Sequence, residues 1–431
     1  MTRVLLAFTG SRGDAQPGVL LARELRARGH EVTLAVSPDL VDFATAAGVP
    51  VVPAGTAGAA LLAAQRADRR FSSRSPRQRW HALVDLQRRG VPELVRDLSA
   101  AAAGHDLVVT GMACEEAAAA AARHGGVASV ALHFFPVLPN GAVPVVPTAS
   151  AAAAPGFVHR WGWRALSALR ARALAPVLPA GHRPGAAHGT VQAYDPGLFP
   201  GLTREIPGPF TGFPVDADGI LSRARHSSRP GQGRGAVPAD HPASGAGADL
   251  EAWLAAGPAP VYVGFGSMTV GDPAAVAALV RAVCARRGAR LLLAAGWAGG
   301  QTGIADDVAV VSEVDHTAVL PRCVVAVHHG GAGTTAAALR AGVPQLICSV
   351  QADQPYWGRA LARLGLGETL PARALTGARL DAALTRLTTP EAALRAASYA
   401  ARFAADGIAR SADAVESFAA TARSVPERSP S

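Results

Sequence analysis

The sequence predicts an α/β protein built of two doubly wound, parallel-sheet domains. Three observations carry this. The chain has 431 residues, more than one hydrophobic core usually supports. Short apolar runs of strand length alternate with helical stretches, the order typical of parallel sheets flanked by helices. The alternation stops in a low-complexity stretch from Ser222 to Asp249, which includes Ser227-Ser228-Arg229-Pro230-Gly231-Gln232-Gly233, and then restarts.

Val4–Phe8 predicts a buried first strand and Gly10–Asp14 a turn. Pro17 predicts the start of a helix, where proline is at home. The apolar face of that helix recurs at Val19, Leu20, Ala22 and Leu25, and Gly29 ends it. Glu31–Val36, Leu107–Thr110 and Val127–Leu132 are further strands of the same sheet. Arg66–Arg89 is arginine-rich and fits either a mobile loop or a polar helix, and the Pro- and Ala-rich stretch Gly141–Pro155 reads as loop. After the low-complexity stretch, Pro260–Phe265, Arg290–Ala295, Cys323–Val327 and Gln345–Val350 are strands, and Pro273–Cys284 and Thr334–Arg340 are helices. The expected division is 1–215, a linker over 216–249, 250–408, and a final helix with tail over 409–431. Open sheets of this kind bind ligands at the carboxyl ends of their strands, so two facing domains predict a site in the cleft between them.

Hydrophobic residues make up 49% of the chain and mean hydropathy is +0.20, too apolar for global disorder. No apolar run reaches bilayer-spanning length. The short run at Val4–Phe8 meets Gly10-Ser11-Arg12-Gly13-Asp14 and no small-residue cleavage site. The expectation is a cytoplasmic protein without stable membrane insertion. Cys114, Cys284, Cys323 and Cys348 are far apart and form no CxxC pair, which argues against a disulfide framework or zinc site and for small buried hydrophobes. The net charge of +9 is carried by arginine alone, since the chain has no lysine. An anionic small ligand accounts for positive potential as well as nucleic acid does. With no aromatics interleaved among the arginine clusters, no nucleic-acid partner is expected.

The chemistry concentrates in His328-His329-Gly330-Gly331-Ala332-Gly333-Thr334-Thr335, which follows an apolar strand and opens a helix. Glycines let the backbone approach a ligand, and the unpaired N–H groups and positive end of the helix favour phosphate. Thr334 or Thr335 can cap the helix or bond a phosphate oxygen, and His329 can add a hydrogen bond. A tight strand-to-helix turn with an incidental histidine pair fits the same residues. A P-loop is excluded because it needs a lysine. Further on, Ala352-Asp353-Gln354-Pro355-Tyr356-Trp357-Gly358 places an acid and an amide just past a strand end. Such a pair can read sugar hydroxyls, or simply cap a helix.

Together these residues resemble the family-one nucleotide-sugar-dependent glycosyltransferases of GT-B architecture, over nearly the whole chain. The likeness extends to bacterial natural-product and glycopeptide antibiotic glycosyltransferases and to sterol glucosyltransferases. Gly10-Ser11-Arg12-Gly13-Asp14, Pro209-Phe210-Thr211-Gly212-Phe213, Val261-Tyr262-Val263-Gly264-Phe265-Gly266-Ser267-Met268 and Ala405-Asp406-Gly407 also match. The resemblance implies two Rossmann-like domains facing a cleft, with the donor on the second. It implies His329, Gly331, Gly333, Thr334 and Ser267 at the donor diphosphate, Asp353 and Gln354 at the sugar, and Asp14 as general base. Val314 and His316 stand where plant relatives have a Trp-x-Pro-Gln segment against the base. Many relatives pair a first-loop histidine with an aspartate after a later strand; here Asp14 stands in the loop, and Leu107–Met112 offers no carboxylate. His133 and Phe134, after an apolar strand, are candidates to line an acceptor pocket.

The implied activity is that of an inverting hexosyltransferase. It moves a hexose or deoxyhexose from a UDP- or dTDP-sugar to a hydroxyl of a small hydrophobic acceptor. It uses no metal and no cofactor beyond the nucleotide sugar as co-substrate. Asp216-Ala217-Asp218 lies far in sequence from the phosphate turn and is not read as a metal motif. An epimerase or hydrolase of the same architecture, or an inactive accessory protein of a transferase, is the alternative.

Overall fold

The computed structural model describes residues 1–73, 75–179, 189–216, 219, 245–266, 268, 272–295 and 302–424. The chain divides into two compact units, Met1–Val215 with Asp406–Ser431, and Asp216–Ala405. Of the expected linker, 217–218 and 220–244 lie outside the described residues; Gly245–Asp249 are helical.

The first unit runs β1 (Arg3–Ala7), α1 (Arg12–Ala27), β2 (Glu31–Val36), α2 (Val41–Ala46), β3 (Val51–Pro53), α3 (Gly58–Ala67), α4 (Pro76–Arg88), α5 (Val91–Ala102), β4 (Leu107–Gly111), α6 (Glu115–His124), β5 (Ala128–His133), α7 (Ala149–Ala152), α8 (Gly156–Leu174) and β6 (Gly189–Gln192). Its sheet is parallel in the order β3-β2-β1-β4-β5-β6. Leu5, Ala7, Ala35 and Val108 pack against Leu98, Ala118 and Ala121 of the covering helices. The strands are buried on both faces and read as continuous apolar runs, as parallel strands do.

The expected start of α1 is corrected. The helix opens at Arg12, not at Pro17, which lies inside it. Ser11 and Asp14 form a capping box that satisfies the helix entrance five residues earlier than the proline signal suggests. Arg66–Arg89 is mostly helical, ending α3 and forming α4, and Arg70 is held by Asp68 and Asp85. The stretch read as loop at 141–155 contains the single turn α7.

The second unit runs α9 (Gly245–Ala255), β7 (Val261–Gly264), α10 (Pro273–Arg286), β8 (Leu291–Ala294), β9 (Gly303–Ile304), β10 (Val308–Val311), α11 (His316–Val319), β11 (Val325–His328), α12 (Ala332–Ala341), β12 (Gln345–Ser349), α13 (Gln354–Leu364), β13 (Gly367–Pro371), α14 (Gly377–Leu387) and α15 (Pro390–Ala400). Its sheet order is β13-β12-β11-β7-β8-β10-β9, parallel except for β9. Val261 and Val263 pack into one layer with Val283 and Leu384, and Tyr262 into the other with Trp253 and Ala338.

The last helix, α16 (Gly407–Ser424), belongs to the first unit. Glu416 bonds Arg28 and His30, Ser411 bonds Thr211, and Phe418 fills the space where a side chain at Gly189 would stand. All four cysteines are free and buried.

In each sheet the chain reverses its direction of travel once, between β1 and β4 in the first and between β7 and β11 in the second. Loops diverge at such a switch point and leave a crevice at the carboxyl edge. Asp14 follows β1 and His329–Thr334 follow β11, at these two places; Phe134, His316 and Asp353 follow the neighbouring strands β5, β10 and β12.

Candidate active site

In the second unit, β11 ends at His328, and His329, Gly330 and Gly331 carry the chain into α12. His328 is buried. It accepts at Nδ1 from the Gly330 N–H (3.1 Å), and its Nε2 meets Gln345 Oε1 (2.9 Å). Gln345 Nε2 in turn donates to the Thr335 carbonyl (3.4 Å). Because Nδ1 accepts, Nε2 carries the proton, and burial with the neighbouring His329 drives the ring down to about 3. His328 is therefore a neutral strut that locks the turn, a role the sequence did not show. Its signal was a polar Gln345 opening an otherwise apolar strand.

Gly330 has φ +91°, and a Cβ there would stand 2.5 Å from Ile347 Cγ2 and 3.3 Å from Gln354 Cβ. Only glycine meets both demands. A Cβ at Gly331 would lie 2.6 Å from His329 Nε2, so the imidazole edge sits against the turn. On its other side His329 approaches Gly266, at the end of β7, whose own Cβ would be 3.3 Å from its Cε1. Burial pushes the His329 ring down to about 4, so it is neutral near pH 7 and offers a hydrogen bond, not a charge. Thr335 N–H bonds back to the Gly331 carbonyl (2.9 Å). The N–H groups of Ala332, Gly333 and Thr334 precede the first helical bond. Among the described residues nothing accepts from them. The helix end presents three aligned donors and no capping side chain. Ser267 lies outside the described residues.

Asp353 and Gln354 follow β12 through Ala352, the one non-glycine residue with positive φ among the described residues (+55°). Gln354 is buried. Its Oε1 accepts from the Val350 (2.8 Å) and Gln351 (3.1 Å) N–H groups, which shapes the loop and turns the amide into a donor-only group for any ligand. Asp353 Oδ2 accepts from Trp357 Nε1 (2.7 Å). Its carboxylate makes no capping bond to the helix behind it. Gln354 packs on Gly330, so the Asp353–Gln354 pair and the glycine turn adjoin.

Val314 and His316 stand at the same edge, after β10. Val314 is half-buried against the core, and His316 Nε2 shares a hydrogen bond with the Tyr262 hydroxyl (2.9 Å) under an edge-on ring contact. That bond spends one ring nitrogen on the second unit's own core.

In the first unit, Asp14 sits half-buried one turn into α1. Its Oδ2 accepts from the Ser11 N–H (2.8 Å) and from Ser11 Oγ (2.7 Å). Burial raises its carboxyl above the ordinary range, and the two Ser11 bonds pull the other way. Gly10, at φ +125°, leaves room for it: a Cβ there would lie 2.7 Å from Oδ2. Phe134 is half-buried on Phe8 (6.2 Å between centroids), and its N–H reaches Met112 Sδ (3.1 Å).

His133, the other candidate at the end of β5, is buried. The ring is 1% exposed and its Nε2 meets Glu115 Oε2 (3.1 Å), so it is tied into the wall behind Phe134. The carboxylates absent from Leu107–Met112 come a few residues later. Glu115 and Glu116 open α6; His133 holds Glu115 low, and Arg170 pairs with Glu116 (2.7 Å).

Two family profiles match the chain. Glycosyltransferase family 28, N-terminal domain, covers residues 4–127. Erythromycin biosynthesis protein CIII-like, C-terminal domain, covers residues 291–415. An uncharacterized glycosyltransferase of Mycobacterium tuberculosis (strain ATCC 25618 / H37Rv) is 34% identical over 98% of this chain and 100% of its own. The vancomycin aglycone glucosyltransferase of Amycolatopsis orientalis is 32% identical over 94% of this chain and 95% of its own. The chain belongs to the family-one-like antibiotic glycosyltransferases. A glycosyltransferase of Streptomyces sp. SF2575, solved with thymidine diphosphate, shares its fold (TM-score 0.61, 20% identity, 97% of this chain and 100% of that one). The glycosyltransferase therefore has the two parallel-sheet α/β domains of the GT-B structures. No helix among its described residues is long and apolar enough to cross a membrane.

Proposed function

We propose that this glycosyltransferase moves a hexose or deoxyhexose from a uridine or thymidine diphosphate sugar to a hydroxyl of a small hydrophobic acceptor, with inversion and without a metal ion. The observation that carries the reading is the opening of α12. Three N–H donors at Ala332, Gly333 and Thr334 stand beside the neutral ring of His329, with the Gln354 side chain packed on the same turn. A diphosphate leaving group gains negative charge as its bond to the anomeric carbon breaks. Aligned backbone donors and a helix end stabilise that charge in place, and His329 adds a hydrogen bond from its ring N–H. Gln354 donates its amide to a sugar hydroxyl and Asp353 accepts from one.

Asp14 is the base. The acceptor oxygen attacks the anomeric carbon opposite the leaving diphosphate, and its proton passes to the Asp14 carboxylate. A carboxylate is weakly basic towards an alcohol, so proton transfer comes late; its raised carboxyl favours that transfer. Phe134 offers an apolar ring to the acceptor from the same edge. The related enzymes named for thymidine diphosphate and for vancomycin aglycone support a nucleoside diphosphate donor and a natural-product acceptor.

The deciding experiment is Asp14→Asn, assayed for sugar transfer by mass spectrometry and for dTDP and UDP binding by calorimetry. Transfer should fall by about 10²–10⁴ while nucleotide binding stays unchanged. Undiminished transfer removes Asp14 as base. Consumption of donor with no acceptor modified by the wild type moves the reading to a hydrolase.

A further inference from the structure

Helix α8 has two apolar faces, and the core uses only one. Trp163 and Leu174 point inward and are buried, with Trp163 Nε1 donating to the Val143 carbonyl (2.8 Å). On the outward side Phe157 is 61% exposed, Trp161 67% and Leu169 45%, with Val158 and two alanines, Ala165 and Ala168, between them. At 100° per residue these six positions span about 120° of the helix circumference. That makes an apolar stripe from Phe157 to Leu169, closed at its C-terminal end by Arg172 on the same arc, where a surface helix normally carries charge along its length.

The charge beside the stripe has one sign. The helix contains no Asp or Glu. Its two inward-leaning arginines are neutralised, Arg160 by Glu205 and Arg170 by Glu116. The two outward ones, Arg164 and Arg172, make no ion pair among the described residues; Arg164 lies over the Trp161 ring (5.8 Å). An outward stripe of Phe, Trp and Leu, set among uncompensated arginines, is the composition of a helix that lies in the headgroup region of a bilayer. The rings enter the acyl boundary and the guanidinium groups stay with anionic headgroups.

We propose that α8 docks the enzyme peripherally on an anionic lipid bilayer through Phe157, Trp161 and Leu169, with Arg164 and Arg172 meeting the headgroups. The charge complementarity selects this occupant: a second copy would bring the same unpaired arginines against each other. The same helix backs the first unit's crevice. Arg170 reaches the Met112 carbonyl (3.4 Å), and Met112 Sδ holds the Phe134 N–H. The proposal does not depend on which sugar or acceptor the enzyme uses, because a chain that transferred nothing would still bind lipid.

The test is co-sedimentation of the full chain with vesicles of phosphatidylcholine alone and of phosphatidylcholine with phosphatidylglycerol. The anionic vesicles should retain the protein at least tenfold better, and raised salt should weaken the retention. The double variant Phe157→Ser/Trp161→Ser should lose at least tenfold in binding. Arg164→Gln/Arg172→Gln should abolish the preference for anionic lipid. Both should keep the wild-type circular dichroism and nucleotide affinity, which separates docking from folding. Equal retention of wild type and the Phe157/Trp161 variant, or no retention by anionic vesicles, overturns the proposal. A dimer seen by light scattering that Trp161→Ser dissolves overturns it in favour of self-association.

Discussion

Ser11 gives Asp14 two hydrogen bonds, from its N–H and its hydroxyl, and both end on the same oxygen, Oδ2. A capping carboxylate and a catalytic base are therefore compatible in one residue. Both Ser11 bonds fall on Oδ2, so the cap does not engage Oδ1. The two bonds also restrain the carboxyl against the rise that burial imposes.

Removing that restraint should move the pH profile. In Ser11→Ala the Asp14 carboxyl loses a hydroxyl donor, so its pKa rises further. The acid limb of kcat/KM, where Asp14 must be ionised, then shifts to higher pH. A profile measured from pH 4.5 to 8 should show the variant's rate recovering later than the wild type's and reaching a similar plateau. An unmoved acid limb would assign that limb to another group.

His329 should act through a hydrogen bond. His329→Ala should weaken dTDP or UDP binding by about 10–100-fold, the worth of one bond to a charged group. His329→Gln, which can still donate, should recover part of it. Because the ring titrates near 4, wild-type nucleotide affinity should not change between pH 5.5 and 8 through this group. A titration near pH 6.5 lost in His329→Gln would contradict the buried neutral ring.

Gln354 separates two functions of one side chain. Its oxygen holds the Val350 and Gln351 N–H groups, which leaves its nitrogen as the donor the proposed reading gives to a sugar hydroxyl. Gln354→Glu keeps two acceptor oxygens and loses the donor, so donor-sugar KM should rise several-fold with the melting temperature little changed. Gln354→Leu leaves both N–H groups without their partner and should cost about 1–3 kcal/mol of stability as well. Denaturant titration of the pair reads the difference; equal melting points would remove the loop-shaping role.

Acid should loosen the second unit. An unfolded histidine binds its proton near pH 6.5, whereas folded His328 and His329 bind theirs near 3 and 4. Between these limits the unfolded chain holds more protons. The stability these rings contribute is complete above about 6.5 and is lost as pH falls towards the folded values. Each ring contributes a slope of about 1.4 kcal/mol per pH unit inside the window. Urea unfolding at pH 7.5, 6 and 5 should show a shallower loss in His329→Gln than in the wild type. Parallel slopes would mean the ring is not buried neutral.

Gly330→Ala should be among the more damaging single-methyl changes in the chain. The positive φ and the contact with Ile347 each oppose a side chain, together about 2 kcal/mol or more. Donor affinity and melting temperature should fall together. A variant that melts normally would show that the turn relaxes.

The strands and most helices were legible because burial on both faces of a parallel sheet leaves runs such as Val4–Phe8 and Val261–Phe265 with few polar interruptions. The glycine turn after Val327 was legible because its function depends on backbone, and backbone needs are written in glycines. The start of α1 was misread because Pro17 is a strong local signal, and the Ser11–Asp14 box that overrides it takes only two side chains. His133 illustrates what spacing cannot carry. Its place at a strand end is in the sequence, but its partner Glu115 is eighteen residues earlier and meets it only because β4 and β5 are neighbours.

By itself, then, the sequence determined the two-sheet architecture, the switch-point loops and the identity of the residues standing there. These follow from local periodicity and from glycine, proline and capping chemistry, which act over a few residues. Only the tertiary structure decided the state of those residues: which oxygen of Asp14 is engaged, that His328 is a strut and His329 a neutral donor, that Gln354 offers only its amide, and that the outer face of α8 stays uncovered. Hydrogen-bond partnership and desolvation are set by atoms from strands and helices distant in the chain, and no local pattern encodes them.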